Sequence, residues 1–348
     1  MTEEYTIHEI SLGFPHDKEM LVRFLSEHDL VFEDDIEAAF GVFDQDEALL
    51  GCGCCAGNLL KCFAVDEALR GQNALGSLVS RLVENRFAAG HYDLFVITRP
   101  KNKVLFTSCG FYPLAETQSV LMLENKKNGL ERFYSAFLPE TPEDRSNTLT
   151  GGVGCIVMNC NPFTKGHLAL ITYAASRCSL LHIFVVEEDR SLFPFEVRMR
   201  LVKEGTAHLP NVQVHPSGPY MISSATFPTY FLKKGEDAAK IQSELDITLF
   251  ASRIAPLFHI TKRFAGEEPL DPITRDYNEA MIRLLPQYSI SFIKIARTTA
   301  ETPEGKPEVI SASRVRRLLA ETGVTEEVLQ LVPPCTAQYL KNEFGARP

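Results

Sequence analysis

Apolar and polar positions alternate regularly along the C-terminal half of the chain. Short apolar runs predict strands at 155–158, 183–186, 247–251 and 290–295. Between the first two runs, Leu168, Ile171 and Ala175 recur at helical spacing, and Val197, Leu201 and Val202 do so after the second. Apolar strands that alternate with helices are typical of a doubly wound parallel sheet in the α/β class, whose ligands bind at the carboxyl ends of its strands.

The N-terminal half has a less regular pattern. It predicts a strand at 59–65, a helix at 75–87 and a second strand at 93–98. Residues 139–150 are polar, contain proline and lack apolar periodicity, as expected of a linker. We therefore predict two domains, 1–138 and 151–348, joined by a linker at 139–150.

Composition narrows the possible partners. Lys and Arg number 35 against 45 Asp and Glu, which gives a formal net charge of −10 and argues against binding nucleic acid or a membrane. The N-terminus lacks a signal-peptide pattern, and the nine cysteines form no spaced framework, so we expect reduced thiols and a cytoplasmic location. Cys52 and Cys55 form a C-x-x-C without a second ligand pair, which favours a buried strand over a zinc site.

The first candidate site is a polar loop at 158–167, between a predicted strand and a predicted helix. Asn159, Thr164, Lys165 and His167 would gather at a helix N-terminus, where free N–H groups and the helix dipole favour anions. Gly166 would let phosphate oxygens approach the backbone. The alternative is a loop histidine that only caps its helix.

A second candidate loop lies at 310–316. Here Ser313 is the predicted N-cap of a helix, which would place Ser311, Ser313 and Arg316 around another positive helix end. The alternative is an ordinary serine cap followed by solvated arginines. Arg198 and Arg200 could reach phosphates, but we expect them to lie on a charged, solvated helix face.

Together the two loops resemble the paired motifs of the nucleotidyltransferase superfamily, (H/T)-x-G-H and I-S-S-T-x-x-R. Thr164 stands at the first-histidine position, as in the subgroup that includes pantetheine-phosphate adenylyltransferase, and Ala312 with Ser313 replaces Ser-Thr. The resemblance implies a Rossmann-like domain. It also implies that the segment 263–269, with Arg263 and Gly266, lines the nucleotide pocket, although an ordinary strand-to-helix connection is the alternative.

The chain also resembles the citrate lyase ligase family almost from end to end. The matching segments are 100–103, 109–112, 161–167, 223–233, 263–269 and 310–316. The resemblance implies an AMP-forming ligase that uses ATP, with Mg²⁺ arriving with the nucleotide. Acetate would attack the α-phosphorus of ATP, and the thiol of the citrate lyase acyl carrier subunit would then take the acetyl group from acetyl-AMP.

The same resemblance implies roles for individual residues. His167, assisted by Thr164 and Lys165, would stabilise the transition state. The expected ATP contacts are Asn159, Thr164, Lys165, His167, Arg263, Gly266, Ser311, Ser313 and Arg316. No acidic cluster with the spacing of a dedicated metal site is visible.

The N-terminal half resembles the acyl-CoA-binding core of the GNAT acetyltransferase superfamily, an α+β fold. The matching loop comprises Arg70, Gly71, Gln72, Asn73 and Ala74. Asn73 stands where that loop usually has glycine, so a side chain would crowd the pyrophosphate. Three interpretations compete: an active acetyltransferase, a binding module for CoA, acetyl-CoA or the carrier's CoA-like arm, and a structural remnant. We favour the binding module.

Two other functions are compatible with the motifs. One is an adenylyltransferase of coenzyme or dinucleotide synthesis, which would use a phosphate acceptor instead of a carboxylate. The other is a non-catalytic regulator that senses nucleotides or acyl-CoA. The retained Thr164, His167 and Arg316 weigh against the regulator, because a sensor needs ATP binding but not this histidine.

Overall fold

A computed structural model describes residues 5–69, 72–138, 151–187, 191–221, 227–267, 272–301 and 307–345. The predicted linker 139–150 lies outside the described residues. The chain divides into two compact units, Met1–Arg132 with Ile222–Leu249, and Phe133–Met221 with Phe250–Pro348. This division differs from the predicted domains, because residues 222–249 group with the first unit.

The first unit contains a seven-stranded sheet in the order β1-β2-β3-β4-β5-β7-β6. Its strands are β1 (Thr6–Ile10), β2 (Ala38–Phe43), β3 (Leu49–Ala56), β4 (Leu59–Val65), β5 (Phe95–Thr98), β6 (Tyr112–Glu116) and β7 (Leu121–Glu124). Neighbouring strands are antiparallel except β4 and β5, which run parallel and pair only at their starts, Leu59 with Phe95 and Leu60 with Val96. The two strands therefore separate towards their carboxyl ends.

Twelve α-helices lie in the described ranges. In chain order they are α1 (Pro15–Glu27), α2 (Ala74–Ala88), α3 (Lys103–Ser108), α4 (Gly129–Ser135), α5 (Lys165–Ala175), α6 (Phe195–Thr206), α7 (Ala238–Leu249), α8 (Ala255–Leu257), α9 (Pro272–Leu284), α10 (Ala312–Thr322), α11 (Glu326–Gln330) and α12 (Pro334–Phe344). Short 3-10 turns lie at Glu67–Leu69, Pro100–Asn102, Gly218–Tyr220 and Leu285–Tyr288. The helix predicted at 75–87 is confirmed as α2.

The second unit is built on a five-stranded parallel sheet in the order β10-β9-β8-β11-β12. These strands are β8 (Val153–Met158), β9 (Leu180–Val185), β10 (Val212–Pro216), β11 (Ile260–Gly266) and β12 (Ser291–Ile295), and a small hairpin follows with β13 (Thr299–Glu301) and β14 (Pro307–Val309). The chain order reverses between β8 and β11, which is the switch point where such sheets bind ligands. The predicted doubly wound α/β class is confirmed.

The strand predicted at 247–251 is wrong. These residues end helix α7 and form the π-helical turn Phe250–Ile254. Ile241, Leu245 and Leu249 are buried at four-residue spacing, so the apolar run continues one face of a helix. Short apolar runs do not distinguish a strand from a buried helix by periodicity alone.

The cysteines lie in apolar surroundings. Cys52, Cys54 and Cys55 are fully buried in β3, and all nine cysteines are free thiols. The predicted buried strand is therefore confirmed at the C-x-x-C. Within the described ranges, no three His, Cys, Asp or Glu side chains form a group that could hold a metal ion. None of the helices in those ranges is long and apolar enough to span a membrane.

Candidate active site

The loop after β8 ends in a tightly bonded helix start. Thr164 is the N-cap of α5, and its side chain accepts a hydrogen bond from the backbone N–H of His167 at 3.3 Å. In return, the backbone N–H of Thr164 donates to Nδ1 of His167 at 3.1 Å. This reciprocal capping box fixes the imidazole against the helix end. His167 thus caps its helix and also lies in the predicted anion-binding loop.

These hydrogen bonds define the protonation of His167. Because Nδ1 accepts the Thr164 N–H, the neutral imidazole carries its proton on Nε2. Burial, together with the nearby positive charge of Arg297, lowers the pKa of His167 to about 4. The ring is therefore neutral near pH 7, and its Nε2–H is a hydrogen-bond donor.

The two candidate loops meet in the second unit. The guanidinium of Arg316 donates from Nη1 to the backbone carbonyl of Asn161, in the first loop. A Cβ atom on Gly166 would lie 2.7 Å from the backbone oxygen of Ile310, in the second loop. Gly166 therefore permits a close approach that any other residue would obstruct. The two loops are therefore in direct contact.

Ser311, rather than the predicted Ser313, is the N-cap of α10. Ser311 has an extended backbone, and its Oγ accepts from the N–H of Arg314 at 3.1 Å. Ser313 lies in the first turn, exposed, and its Oγ accepts from Nη2 of Arg316 at 3.2 Å. The helix starts one residue after Ser311 because that extended backbone places the Oγ over the free amides. Ser313 and Arg316 therefore lie together on the open side of the helix start.

Arg198 is fully buried, so its prediction as part of a solvated face is wrong. Its Nη1 donates to the backbone oxygen and to Oδ1 of Asn159, each at 2.7 Å, and to the oxygen of Val186 at 2.8 Å. Its Nε donates to the oxygen of Phe193 at 3.0 Å. The guanidinium thus supplies donors to carbonyls at the ends of β8 and β9, which positions Asn159. Arg200, by contrast, is exposed as predicted.

Arg263 and Gly266 both lie on β11 but differ in their surroundings. Arg263 is buried, with its Nη1 3.4 Å from the sulfur of Cys155 and its guanidinium 4.4 Å from the ring centre of Phe250. Gly266 is at the carboxyl end of the strand, beside the switch point, and among the described residues no atom beyond its chain neighbours lies within 4 Å of a Cβ built there. The structure therefore places Gly266 near the open edge and Arg263 in the interior.

Arg297 is a candidate that the sequence analysis missed. It follows the carboxyl end of β12, and its Nε donates to the backbone oxygen of Glu267 at 2.6 Å. Partial burial lowers its pKa, and its charge acts on His167. The next residue, Thr298, accepts from the N–H of Ile310 at 3.0 Å, which connects Arg297 to the second loop. In the sequence, the signal that could have identified Arg297 is an arginine just beyond the end of a predicted strand.

Lys165 and the predicted acyl-CoA-type loop complete the set of predicted residues. The side chain of Lys165 is exposed at the first position of α5. In the first unit, Arg70 and Gly71 lie outside the described residues, as do Ser223–Thr226, Glu268 and Pro269 of the matching segments. Gln72, Asn73 and Ala74 precede or begin α2, and Asn73 adopts a left-handed backbone with φ 56° and no side-chain cap.

A cavity of about 610 Å³ lies in the first unit beside the start of α2. The carboxyl halves of β4 and β5 form two of its walls, with Ala64, Val65 and Thr98 among the lining residues. Asn73, Ala74 and Gly76 contribute the helix end. The predicted acyl-CoA-type loop therefore borders a cavity of the size that small-molecule ligands occupy.

The parallel sheet, its switch point and the joined loops define the second unit as a nucleotidyltransferase-type α/β fold, and the first unit has the mixed sheet expected of a GNAT-like fold. The family model described as the citrate lyase ligase C-terminal domain matches residues 153–340. The citrate (pro-3S)-lyase ligase of Klebsiella pneumoniae is 39% identical over 328 residues, 93% of this chain and 92% of the relative. The corresponding ligase of Escherichia coli K12 is 38% identical over 323 residues, 92% of this chain and 90% of the relative. The chain belongs to the citrate lyase ligase family and is an enzyme of the ligase class.

More distant similarities cover each half separately. The phosphopantetheine adenylyltransferase of Proteus mirabilis is 26% identical over 166 residues, 45% of this chain and 91% of the relative. A solved GNAT-family acetyltransferase from Staphylococcus aureus Mu50 is 12% identical, covering 35% of this chain and 99% of that chain with a TM-score of 0.30.

Proposed function

We propose that this protein activates citrate lyase by acetylating the thiol of the prosthetic group on its acyl carrier subunit, in an ATP-dependent, AMP-forming reaction in the cytoplasm. The observation that carries this proposal is the junction of the two loops, in which Gly166 packs against Ile310 and Arg316 bonds to Asn161. Membership of the citrate lyase ligase family supports the choice of acceptor.

In the first step, a carboxylate oxygen of acetate forms a bond to the α-phosphorus of ATP, and the bond from that phosphorus to pyrophosphate breaks. The products are acetyl-AMP and pyrophosphate. The neutral His167 donates its Nε2–H to a phosphoryl oxygen, where negative charge grows in the transition state. Thr164 acts as a positioning residue, since its backbone N–H holds Nδ1 and thereby fixes the tautomer.

Cationic and polar groups around His167 bind the phosphates. Lys165, Arg316 and Arg297 supply positive charge, and Ser313 supplies a hydroxyl beside Arg316. Ser311 holds the start of α10, and Asn159 is held by Arg198 at the end of β8. Mg²⁺ bound to the incoming ATP would neutralise part of the triphosphate charge. Gly266 leaves room at the strand end for the nucleotide, while Arg263 supports the sheet from inside.

In the second step, the carrier's thiol forms a bond to the acetyl carbon of acetyl-AMP, and the bond from that carbon to the AMP oxygen breaks. The thiol proton passes to solvent, and AMP leaves. The nucleophilic sulfur belongs to the carrier, so no cysteine of this chain takes part. The first unit serves as a binding module for CoA, acetyl-CoA or the carrier's CoA-like arm.

Replacing His167 by Ala tests this function. We expect acetate-dependent exchange between ATP and pyrophosphate to fall about 100-fold or more, because the variant loses a donor aimed at developing charge. His208→Ala is the matched control, since His208 is an exposed histidine of the same unit. Near-normal exchange by a folded His167→Ala protein would remove this residue from the mechanism.

The similarity to a phosphopantetheine adenylyltransferase supports one second candidate, adenylyl transfer to a phosphate acceptor. The two functions differ in the acceptor that permits pyrophosphate release. We expect release with acetate and none with 4′-phosphopantetheine. The opposite result would favour coenzyme synthesis.

A further inference from the structure

A segment distant in sequence fills the gap between β4 and β5 of the first unit. We call residues 227–236 the strap; they belong to the first unit although they follow β10 in the chain. Within the strap, Tyr230 is only 3% exposed. Its hydroxyl donates to the backbone oxygen of Ile97, on β5, at 3.0 Å.

Tyr230 lies where the two parallel strands stop pairing. Their ladder is limited to Leu59 with Phe95 and Leu60 with Val96. Just beyond, Cys62 has a left-handed backbone with φ 57°. The Tyr230 phenol therefore pairs with a backbone oxygen of β5 at the point where β5 separates from β4. The narrow end of the gap is closed.

The strap is held by several independent contacts. The N–H of Thr229 donates to Glu33 at 2.7 Å, and the buried Lys61 donates to the other oxygen of Glu33 at 2.8 Å. The N–H of Val31 donates to the oxygen of Tyr230 at 2.9 Å. On the far side, Arg99 donates to the oxygen of Phe231 at 3.0 Å and pairs with Glu236. Tyr230 is therefore a fixed wall and not a surface side chain.

In front of this wall lies the cavity of about 610 Å³. Along β4 the cavity is lined from Phe63 to Val65, a distance of about 7 Å at the rise of a strand. The open edges of the separating strands suit an extended chain with amide groups, which can pair with strand backbone. Lys101 and Lys233 line the cavity together with the start of α2, and such groups suit a phosphate. An extended amide chain with a phosphate at one end is a phosphopantetheine-type arm.

We propose that Tyr230 is a specificity-determining residue that lets this cavity accept the free thiol of a phosphopantetheine-type arm and excludes its acetylated form. The thiol is small enough to end against the phenol ring. An acetyl group would have to enter the gap that Tyr230 and its hydrogen bonds occupy. This inference rests on the proposed function, in which the thiol is the substrate form and the thioester is the product. It gives the protein a means to release its product.

Binding measurements on the full-length protein test the inference. The probes are CoA and 4′-phosphopantetheine, each as the free thiol and as the S-acetyl form, measured by calorimetry. For wild-type protein we expect the acetyl form to bind roughly tenfold or more weakly, which is the range that one excluded small group produces. The CoA pair is then compared with the 4′-phosphopantetheine pair, and the pair that binds more tightly identifies the source of the arm.

Variants separate the wall from its hydroxyl. In Tyr230→Ala the two forms should bind within about threefold of each other, since the gap is open. Tyr230→Phe keeps the ring and should keep the preference for the thiol. Tyr112→Ala, which removes an exposed tyrosine of the same unit, should behave like wild type.

Three results would overturn the inference: equal binding of thiol and acetyl forms by wild type, an unchanged preference in a folded Tyr230→Ala, or no binding of any probe at millimolar concentration. The wild-type and Tyr230→Phe measurements decide the matter if Tyr230→Ala does not fold. Acetate-dependent ATP–pyrophosphate exchange should be unchanged in all of these variants. If the wild-type protein shows no acetate-dependent exchange, that result counts against the proposed function, whatever the binding preference.

Discussion

The two units each place a loop at the start of a helix, yet the two helix starts differ in how they are organised. At α5, Thr164 and His167 cap each other and Gly166 touches the backbone of a distant loop. At α2, Asn73 makes no side-chain cap, and a Cβ on Gly76 would meet the side chain of Asn73 in the same turn. The start of α5 is therefore fixed by reciprocal side-chain caps and by a close approach of two backbones, whereas the start of α2 lacks a side-chain cap.

The largest expected effect comes from Gly166→Ala. A Cβ there meets the backbone oxygen of Ile310 at 2.7 Å, which forces the two loops apart. A displacement of about 1 Å can cost roughly 100-fold in rate, and we expect at least that loss of acetate-dependent exchange. Gly13→Ala, in the first unit, is the control because a Cβ there meets nothing within 4 Å. Wild-type exchange by Gly166→Ala would show that the loops need no close contact.

A smaller effect concerns the pH dependence of stability. His182 and His215 are buried in the second unit, with Nδ1 and Nε2 2.9 Å apart, whereas the described histidines of the first unit are exposed or half-buried. Burial lowers the pKa of His182 to about 3 and that of His215 to about 4, and the charges of His215 and Lys203, respectively, act in the same direction.

The sign follows from where the protons bind. The unfolded chain takes up these protons near pH 6.5 and the folded chain does not, so stability is lost as pH falls from about 6.5 towards 4. At pH 5 the loss should be roughly 1–2 kcal/mol per histidine, measured by urea unfolding at pH 7 and pH 5. The stability of the double variant His182→Gln, His215→Gln should depend less on pH than that of the wild type. The stability of the exposed His208→Gln variant should keep the wild-type pH dependence. An unchanged slope in the double variant would contradict the assignment.

The smallest effect is expected from Gly76→Ala in the first unit. A Cβ there meets Oδ1 of Asn73 at 2.5 Å, but that atom ends a flexible side chain that can rotate away. Because alanine favours helix over glycine by about 1 kcal/mol, the free energy of unfolding should be unchanged or rise slightly. Thermal unfolding measures this directly. A marked fall in the free energy of unfolding of Gly76→Ala would erase the contrast between the two helix starts.

Much of the second unit could be predicted from sequence. The apolar strands and amphipathic helices specify a parallel sheet through local periodicity, and the Thr164–His167 spacing is itself a capping pattern. The prediction of a strand at 247–251 is wrong because a short apolar run fits a strand or a helix. The buried residues at four-residue spacing in α7 identify it as a helix. The N-cap of α10 is Ser311 and not the predicted Ser313. The two serines lie two residues apart and both satisfy the same local rule.

The sequence did not predict the positions of residues whose role depends on partners far away in the chain. Arg198 belongs to a polar helix face in sequence, yet it is buried against carbonyls from two strand ends. Arg297 is a candidate site residue because its charge, just beyond the end of β12, acts on His167. Neither position carries a local pattern that separates it from a solvated arginine.

The sequence by itself determined the α/β class, the two motif loops and the chemistry of the residues in them, because strand, helix and capping preferences act over a few neighbouring positions. Only the tertiary structure decided that Ile310 lies against Gly166 and that residues 222–249 return to the first unit to place Tyr230 between β4 and β5. Such contacts join positions more than 100 residues apart, and their energy depends on packing and on the pairing of buried polar groups, which no local pattern records.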